Sequence, residues 1–309
     1  MGQPFSNNNP TSAEVARLDR RAQDLVQAAL DPKSRQCYER VWRQFELFCD
    51  KLHFETDLPI SETILLRFMA HLYDEGYAAS TINSAMSALT HFHVKHNLSD
   101  PRTKKVQQAL LGIKNLRPVS EGYDPFSLND LNKMIGAAQG VFQSKYTVIL
   151  FQAMASLAFY ALLRVGEFTH SQHNLRRENI TLHDSYVAIR FQSFKHSGGI
   201  GVTQSVSTKQ HEKFCPVKLL GKYLEVRGDK SGFLFVDQDG KAPSRKQFLA
   251  WMREVMVYCD LDIVKYNTHS FRAGMATHMA LQGFSAEQIK LAGRWSSDAY
   301  RKYIRISKC

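Results

Sequence analysis

Close to the C-terminus, Asn267-Thr268-His269-Ser270-Phe271-Arg272 is followed by Gly293-Arg294-Trp295-Ser296 and by Tyr300-Arg301-Lys302-Tyr303-Ile304-Arg305. One short stretch thus gathers an imidazole, several cations, an indole and two phenols, a set that suits chemistry at a phosphodiester. A phosphoryl group in a pentavalent transition state carries its charge on nonbridging oxygens, so it calls for fixed guanidinium forks, a proton-transferring histidine and a nucleophile that can be released again. A tyrosine hydroxyl can be that nucleophile. His269 and Arg272 stand one helical turn apart, so a helix capped by Asn267 or Thr268 presents both to the same phosphate. Upstream, Leu162-Leu163-Arg164-Val165-Gly166-Glu167 puts a carboxylate three residues after an arginine, able to hold the fork in one orientation. Each group has a plainer reading: Arg164 as the cap of a preceding helix, His269 and Trp295 as core residues.

Taken together and in order, His269-x-x-Arg272, the Gly293-Arg294-Trp295 turn and Tyr303-Ile304-Arg305 resemble the C-terminal catalytic box of the tyrosine recombinase (phage integrase) superfamily, and the segment around Arg164 resembles its first box. The wording Gly-Arg-Trp-Ser-Ser-Asp-Ala-Tyr is similar to recombinases of eukaryotic mobile elements of the DIRS, Ngaro and crypton kind, and Gly-Arg-Trp to the Gly-Gly-Trp of Cre-type enzymes. The resemblance runs from about Ser34 onward.

That resemblance implies a site-specific DNA recombinase or integrase that cleaves and rejoins strands through a 3′-phosphotyrosine, without metal, ATP or any small-molecule cofactor. In it Tyr303 is the nucleophile, Arg164, Arg272 and Trp295 stabilise the phosphorane, Glu167 supports Arg164, and His269 handles the tyrosine proton or holds the phosphate. Lys195, just before a Gly198-Gly199 turn, matches the family's mobile-loop lysine, which protonates the departing 5′ oxygen; Lys209 is the substitute. Tyr303 stands eight residues after Trp295 and nine after Arg294, and the family more often spaces these groups by nine, so Arg294 is the alternative to Trp295 in the His/Trp role. The implied partner is double-stranded DNA, with a homotetramer acting on two duplexes through a Holliday junction. Six residues follow Tyr303, where many members continue into a helix that docks on a neighbour; assembly through another surface, or a truncated chain, is then expected. The alternatives are a domesticated, non-cleaving DNA-binding protein of the same fold and a type IB topoisomerase-like strand transferase.

Composition agrees with a polyanionic partner. The 309 residues suffice for about two domains of ordinary size. Forty Lys and Arg against 29 Asp and Glu give a net charge of +11, which favours nucleic acid with an affinity that falls as salt rises. Five cysteines without a Cys-x-x-Cys indicate reduced thiols, and no zinc spacing or other metal site is present. The polar N-terminus has no apolar signal core. The uncharged run from Tyr146 to Leu163 is interrupted by Thr147, Gln152 and Ser156 and leads into Arg164, so it reads as a buried helix rather than a membrane span. An intracellular protein is expected, nuclear if of eukaryotic mobile-element origin and otherwise in the cytoplasm or nucleoid.

The elements that must position these groups form a mainly α chain with a small antiparallel β-sheet. Residues 1–22 read as a flexible arm. Residues 23–116 read as a helical bundle, the SAM-like core-binding domain that the resemblance implies. In it Tyr38, Val41, Trp42, Phe45, Phe48 and Cys49 fall at helical spacing, with Arg35, Arg40 and Arg43 off the stripe. Ser80, Thr81, Ser84 and Ser87 make a small-residue face suited to close approach to a groove, with Lys104, Lys105, Lys114 and Arg117 as a basic fringe, so these residues are the candidate DNA contacts. His91, His93 and His96 read as surface or phosphate-facing histidines. The two prolines and glycine of 117–125 mark a linker that lets two domains close around a duplex. Residues 126–309 form the α+β catalytic domain, with strands at Tyr186–Phe191 and Val202–Val206 and an added strand at Phe233–Val236.

Overall fold

A computed structural model describes residues 12–117, 122–192, 201–208 and 214–305; Lys195, Lys209 and the Gly198-Gly199 turn lie outside them. The chain divides into two compact units, residues 1–121 and 122–309. The first holds helices α1 (Ser12–Ala28), α2 (Pro32–Leu52), α3 (Glu62–Asp74), α4 (Ala79–Lys95) and α5 (Lys104–Leu116). Residues 12–22, assigned above to an arm, are helical, because nothing from Ser12 to Leu30 breaks a helix and Glu14 sits favourably in the first turn. Local chemistry sets the boundaries of the next helices. Asp31 accepts the N–H groups of Lys33 and Ser34 with Pro32 in the first turn, Ser61 caps α3, and Thr103 caps α5. Ala78 precedes α4, without a side-chain cap.

The core of this unit is aromatic and aliphatic, with Phe45 meeting Phe68 edge-on at 5.3 Å between ring centroids. His93 belongs to that core and not to the surface. Its Nε2 accepts the Ile60 N–H at 3.0 Å and its Nδ1 lies 3.0 Å from the Leu89 carbonyl, which puts the proton on Nδ1. The imidazole thereby satisfies a backbone donor that would otherwise be orphaned.

The second unit runs α6 (Leu128–Val141), α7 (Lys145–Tyr160), α8 (Val165–Phe168), β1 (Ile180–Leu182), β2 (Tyr186–Phe191), β3 (Val202–Ser207), α9 (Pro216–Arg227), α10 (Arg245–Tyr258), α11 (Ser270–Leu281) and α12 (Ala286–Gly293), then a 3₁₀ turn over Asp298–Lys302. Helix α7 is buried along nearly its whole length, which is why its sequence is apolar all round. Among the described residues no helix is long and apolar enough to cross a membrane. The sheet is antiparallel in the order β1-β2-β3, with Ile180 opposite Ile189 and Val187 opposite Val206. Phe233–Val236 is not a strand. Its carbonyls at Phe233, Leu234 and Val236 are taken by the Arg227 guanidinium and the Tyr223 hydroxyl, which leaves only a single bridge from Phe233 to Arg176. The third strand is β1 instead, too short to show a period of two.

Two features of this unit prepare the site. Leu162 adopts a left-handed φ of 47° and so ends α7 with the Ala161 and Leu162 carbonyls pointing away from the helix ladder. Gly274 lets α11 approach closely: a Cβ there would overlap the Phe126 carbonyl and the Phe159 ring on α7. Gly274→Ala is therefore expected to lower stability by about 1–3 kcal/mol, the usual cost of overpacking. Urea unfolding measures it, and an unchanged midpoint would show that α11 has slack.

Candidate active site

Arg272 is among the largest fully buried side chains of the described residues. It lies on α11, whose N-cap position is held by His269 itself; the Asn267 side chain accepts the His269 N–H at 2.7 Å. The Arg272 Nη1 donates to the Leu162 carbonyl at the end of α7 and Nη2 to the Gly293 carbonyl at the end of α12. Above it, the guanidinium carbon sits 4.0 Å from the Trp295 ring centre and 5.6 Å from that of Tyr303. Gly293 makes room for this stack, since a Cβ there would overlap the Trp295 ring. Arg272 thus joins two helix C-termini, whose carbonyls carry partial negative charge, to the segment that bears the two tyrosines.

A second cluster adjoins it. Arg164 lies beyond α7 with extended backbone and heads the short α8, so it does not cap the long helix. Glu167, only 2% exposed, accepts the Arg164 N–H at 2.9 Å and lies 3.2 Å from its Nη1. The other side of that carboxylate belongs to Arg294, 2.7 Å away. The Arg294 side chain is as buried as that of Glu167, and its Nη atoms also reach the carbonyls of Ala161 at 3.1 Å and Leu162 at 3.3 Å and the Gln204 side chain on β3. The Phe191 ring closes the remaining side at 3.9 Å.

The reacting groups of the sequence reading therefore converge in part. Trp295 stands 5.2 Å and His269 6.5 Å from Tyr303, ring centre to ring centre, and Arg272 underlies both rings of the Trp295–Tyr303 pair. Tyr303 is half-buried, whereas Tyr300 is 5% exposed and packs with Leu162, Ala276, Met279 and Ile289. Thr277 ties the Tyr303 backbone to α11, donating to the Tyr303 carbonyl at 3.2 Å and accepting the Arg305 N–H at 3.1 Å. Lys290 holds Asp298 at 2.6 Å and so anchors the 3₁₀ turn to α12. Arg294 occupies an interior position, and Trp295 is the residue that faces Tyr303. Three residues escaped sequence reasoning: the buried role of Arg294, its partner Gln204, and Arg245 at the head of α10, whose charge acts on His269. A glutamine in a strand and an arginine in a first turn carry no signal of their own.

The site is short of negative charge. Burial and the neighbouring guanidiniums of Arg164 and Arg294 hold the Arg272 side chain below its ordinary pKa, with Glu167 opposing them. His269 is pushed down by burial first and then by Arg245, Arg272 and Arg164. Among the described residues no three His, Cys, Asp or Glu side chains converge as a metal site. The best-formed cavities, one lined by Ser171–Arg176 and Phe233 and one by Phe142, Val148 and Lys222, include none of these groups. Arg164, His269, Trp295 and Tyr303 are half-buried, whereas Arg272, Arg294 and Glu167 are buried beneath them.

The candidate DNA contacts of the first unit are exposed or half-buried. The Ser84 and Ser87 hydroxyls turn back onto the Ser80 and Asn83 carbonyls, leaving a low, smooth helix face. Lys105 lies 3.9 Å from Glu62, and Arg117 covers the Tyr73 ring at 4.0 Å and so is partly engaged.

Because His269 binds a proton less readily in the folded chain than in the unfolded one, it costs no stability above the unfolded value and lowers stability as pH falls from there toward the folded value. By imidazole NMR, His269 is expected to titrate below the 6.5 of a free ring and to move upward when inorganic phosphate supplies the missing anion. A midpoint at or above 6.5 would contradict the charge balance described here.

Comparison with known proteins completes the picture. The sequence profile of the phage integrase family matches residues 126–308, more than half of the chain. Tyrosine recombinase XerD of Halalkalibacterium halodurans is 21% identical over 304 residues, spanning 92% of this chain and 90% of that protein. Among solved structures, the Tn1549 transposon integrase in complex with circular intermediate DNA matches with a TM-score of 0.63 at 11% identity, covering 90% of this chain and 91% of that one. A lambda integrase dimer bound to a COC′ core site matches with a TM-score of 0.61 at 14% identity, over 97% of this chain and 82% of that one. At such identities the structural likeness establishes the fold. The sequence profile, which spans Arg164 through Tyr303, establishes kinship: the chain belongs to the phage integrase family.

Proposed function

We propose that the protein is a site-specific DNA strand transferase of the tyrosine recombinase type. The observation that carries the reading is the stack of Arg272 beneath Trp295 and Tyr303, with half-buried Arg164 and His269 nearby. In this reading the Tyr303 oxygen attacks the scissile phosphorus, the bond to the 5′ oxygen breaks, and a 3′-phosphotyrosine stores the bond energy for religation. Neutral His269 takes the tyrosine proton, Lys195 gives a proton to the leaving 5′ oxygen, and Arg164 and Arg272 hold the nonbridging oxygens. The two rings cover Arg272 in the free chain, so its engagement of a phosphate requires the 295–303 segment to shift as DNA enters. Exposed cations Arg35, Arg40, Arg43, Lys104 and Lys114 support backbone contacts by the first unit. The Gly293–Tyr300 wording supports a mobile-element origin. The reading extends to four protomers on two duplexes, which the native mass of the protein–DNA complex decides.

Incubating the chain with nicked suicide duplexes tests the chemistry. Denaturation-resistant adducts are expected in EDTA, absent in Tyr303→Phe and retained in Tyr300→Phe. Lys195→Ala is expected to cleave about 10²–10⁴ times more slowly and to recover on a 5′-phosphorothiolate, whose sulfur leaves without a proton. Binding without any adduct would point to the non-cleaving alternative. Relaxation of supercoils by isolated monomers would point to the topoisomerase-like one.

The first unit has its own test. Replacing Lys104 and Lys114 with Gln is expected to weaken duplex binding regardless of sequence and to flatten the dependence of log affinity on log salt by about 1–2 units of slope. An unchanged slope would remove those lysines from the interface.

A further inference from the structure

One buried cation is left without a task once the reacting groups are assigned. Arg294 has no hydrogen bond to Tyr303 among the described residues, yet it joins several of the elements that surround the site. Its Nη atoms bind the end of α7 through Ala161 and Leu162, strand β3 through Gln204, and Glu167 at 2.7 Å. Glu167 in turn holds Arg164, 3.2 Å from its Nη1. Along the chain, Arg294 is the neighbour of Gly293, whose carbonyl binds Arg272, and of Trp295, whose ring lies against Arg272. Its backbone is left-handed, at φ 56°, which ends α12 and aims the side chain inward while the next residue faces outward.

Glu167 is thus a carboxylate shared between two guanidiniums, one inside and one at the site. A shared carboxylate has a fixed direction. Without the inner partner Glu167 is held by Arg164 alone, through its N–H and its fork, and can turn further onto that fork, toward the paired geometry that an Arg–carboxylate contact prefers, which would draw the Arg164 fork away from a phosphate. We propose that Arg294 is a positioning residue for strand cleavage: through Glu167 it sets the direction of Arg164, and through Gln204 and its own backbone it holds β3 and the Trp295 segment in register with it. The proposal rests on the strand-transfer reading above and assigns Arg294 no contact with DNA.

The test compares the full chain with Arg294→Met, Arg294→Lys, Glu167→Gln and Arg164→Ala in single-turnover cleavage of a nicked duplex. Each is measured on a phosphodiester and on a methylphosphonate at the scissile position. The methyl group replaces a nonbridging oxygen, so the transition state carries less charge and needs one guanidinium fewer. Arg294→Met is expected to cleave the phosphodiester about 100 times more slowly at unchanged duplex affinity, the scale of a misplacement of about 1 Å. Relative to the unsubstituted chain it should recover most of that loss on the methylphosphonate, as Arg164→Ala does. Arg294→Lys, which keeps the charge but not the fork, should fall between. Should Arg294→Met fail to fold, Glu167→Gln, which keeps the side-chain volume, must show the same recovery. Cleavage at the unsubstituted rate, or an equal loss on both substrates by a variant that melts normally, overturns the proposal alone. Absence of any adduct from the unsubstituted chain overturns the strand-transfer reading and the proposal with it.

Discussion

The end of the central helix α7 leaves two carbonyls, at Ala161 and Leu162, that no residue of the helix can bond, because Leu162 turns the chain into the left-handed region. Buried acceptors of this kind must find donors, and here the donors are guanidiniums delivered from far along the chain, Arg272 on α11 and Arg294 after α12. The arrangement resolves two problems at once. The helix terminus supplies partial negative charge to cations that would otherwise be expensive to bury, and the cations satisfy carbonyls that would otherwise be orphaned. Removing either partner leaves the other exposed to the full desolvation penalty, so segments more than a hundred residues apart are held in one relation.

Charge balance then explains the character of the site. Glu167 is the buried carboxylate of the cluster, against the guanidiniums of Arg164, Arg272 and Arg294. A buried ion pair by itself is weak evidence for stability, since desolvation offsets most of the attraction. Its value here lies in direction, because a carboxylate clamped on two sides cannot wander. Burial first, and then the uncompensated cations, lower the affinity of His269 for a proton. The same excess of positive charge, unfavourable in the free chain, is of the sign that an anionic phosphoryl group would compensate.

Much of this was legible from residues alone, and the exceptions have physical causes. Caps such as Ser61, Thr103, Ser127 and the Ser285/Gln288 box are local chemistry, and each starts a helix where its side chain indicates. The apolar run of α7 could be told from a membrane span by its few polar members and its charged exit. Phe233–Val236 looked like a strand because alternation says nothing of which donors will take the carbonyls, and Tyr223 and Arg227 are decided by tertiary packing. His93 looked like a surface group because its partners, Ile60 and Leu89, are revealed by the fold alone. Spacing left Trp295 and Arg294 as rivals. The left-handed backbone at Arg294 separates them, sending neighbours in sequence to opposite sides of the turn.

That separation also shows why the local order Gly-Arg-Trp suits this chain. Gly293 admits the indole that covers Arg272, and a side chain there would push the ring off its seat. Arg294 must then be long and multiply donating, because it has four acceptors to satisfy from a single buried position. Lysine offers charge without the planar fork, and an apolar residue would strand Glu167 with one partner. Trp295 closes the stack with a large, stiff ring that places Tyr303 beside His269 at little conformational cost. Three consecutive residues therefore do three separate jobs, one of space, one of interior charge and one of surface. The 295–303 segment is bound to the core through the Trp295 ring on Arg272 and the Tyr303 carbonyl on Thr277, so its placement beside His269 follows from the packing of the fold.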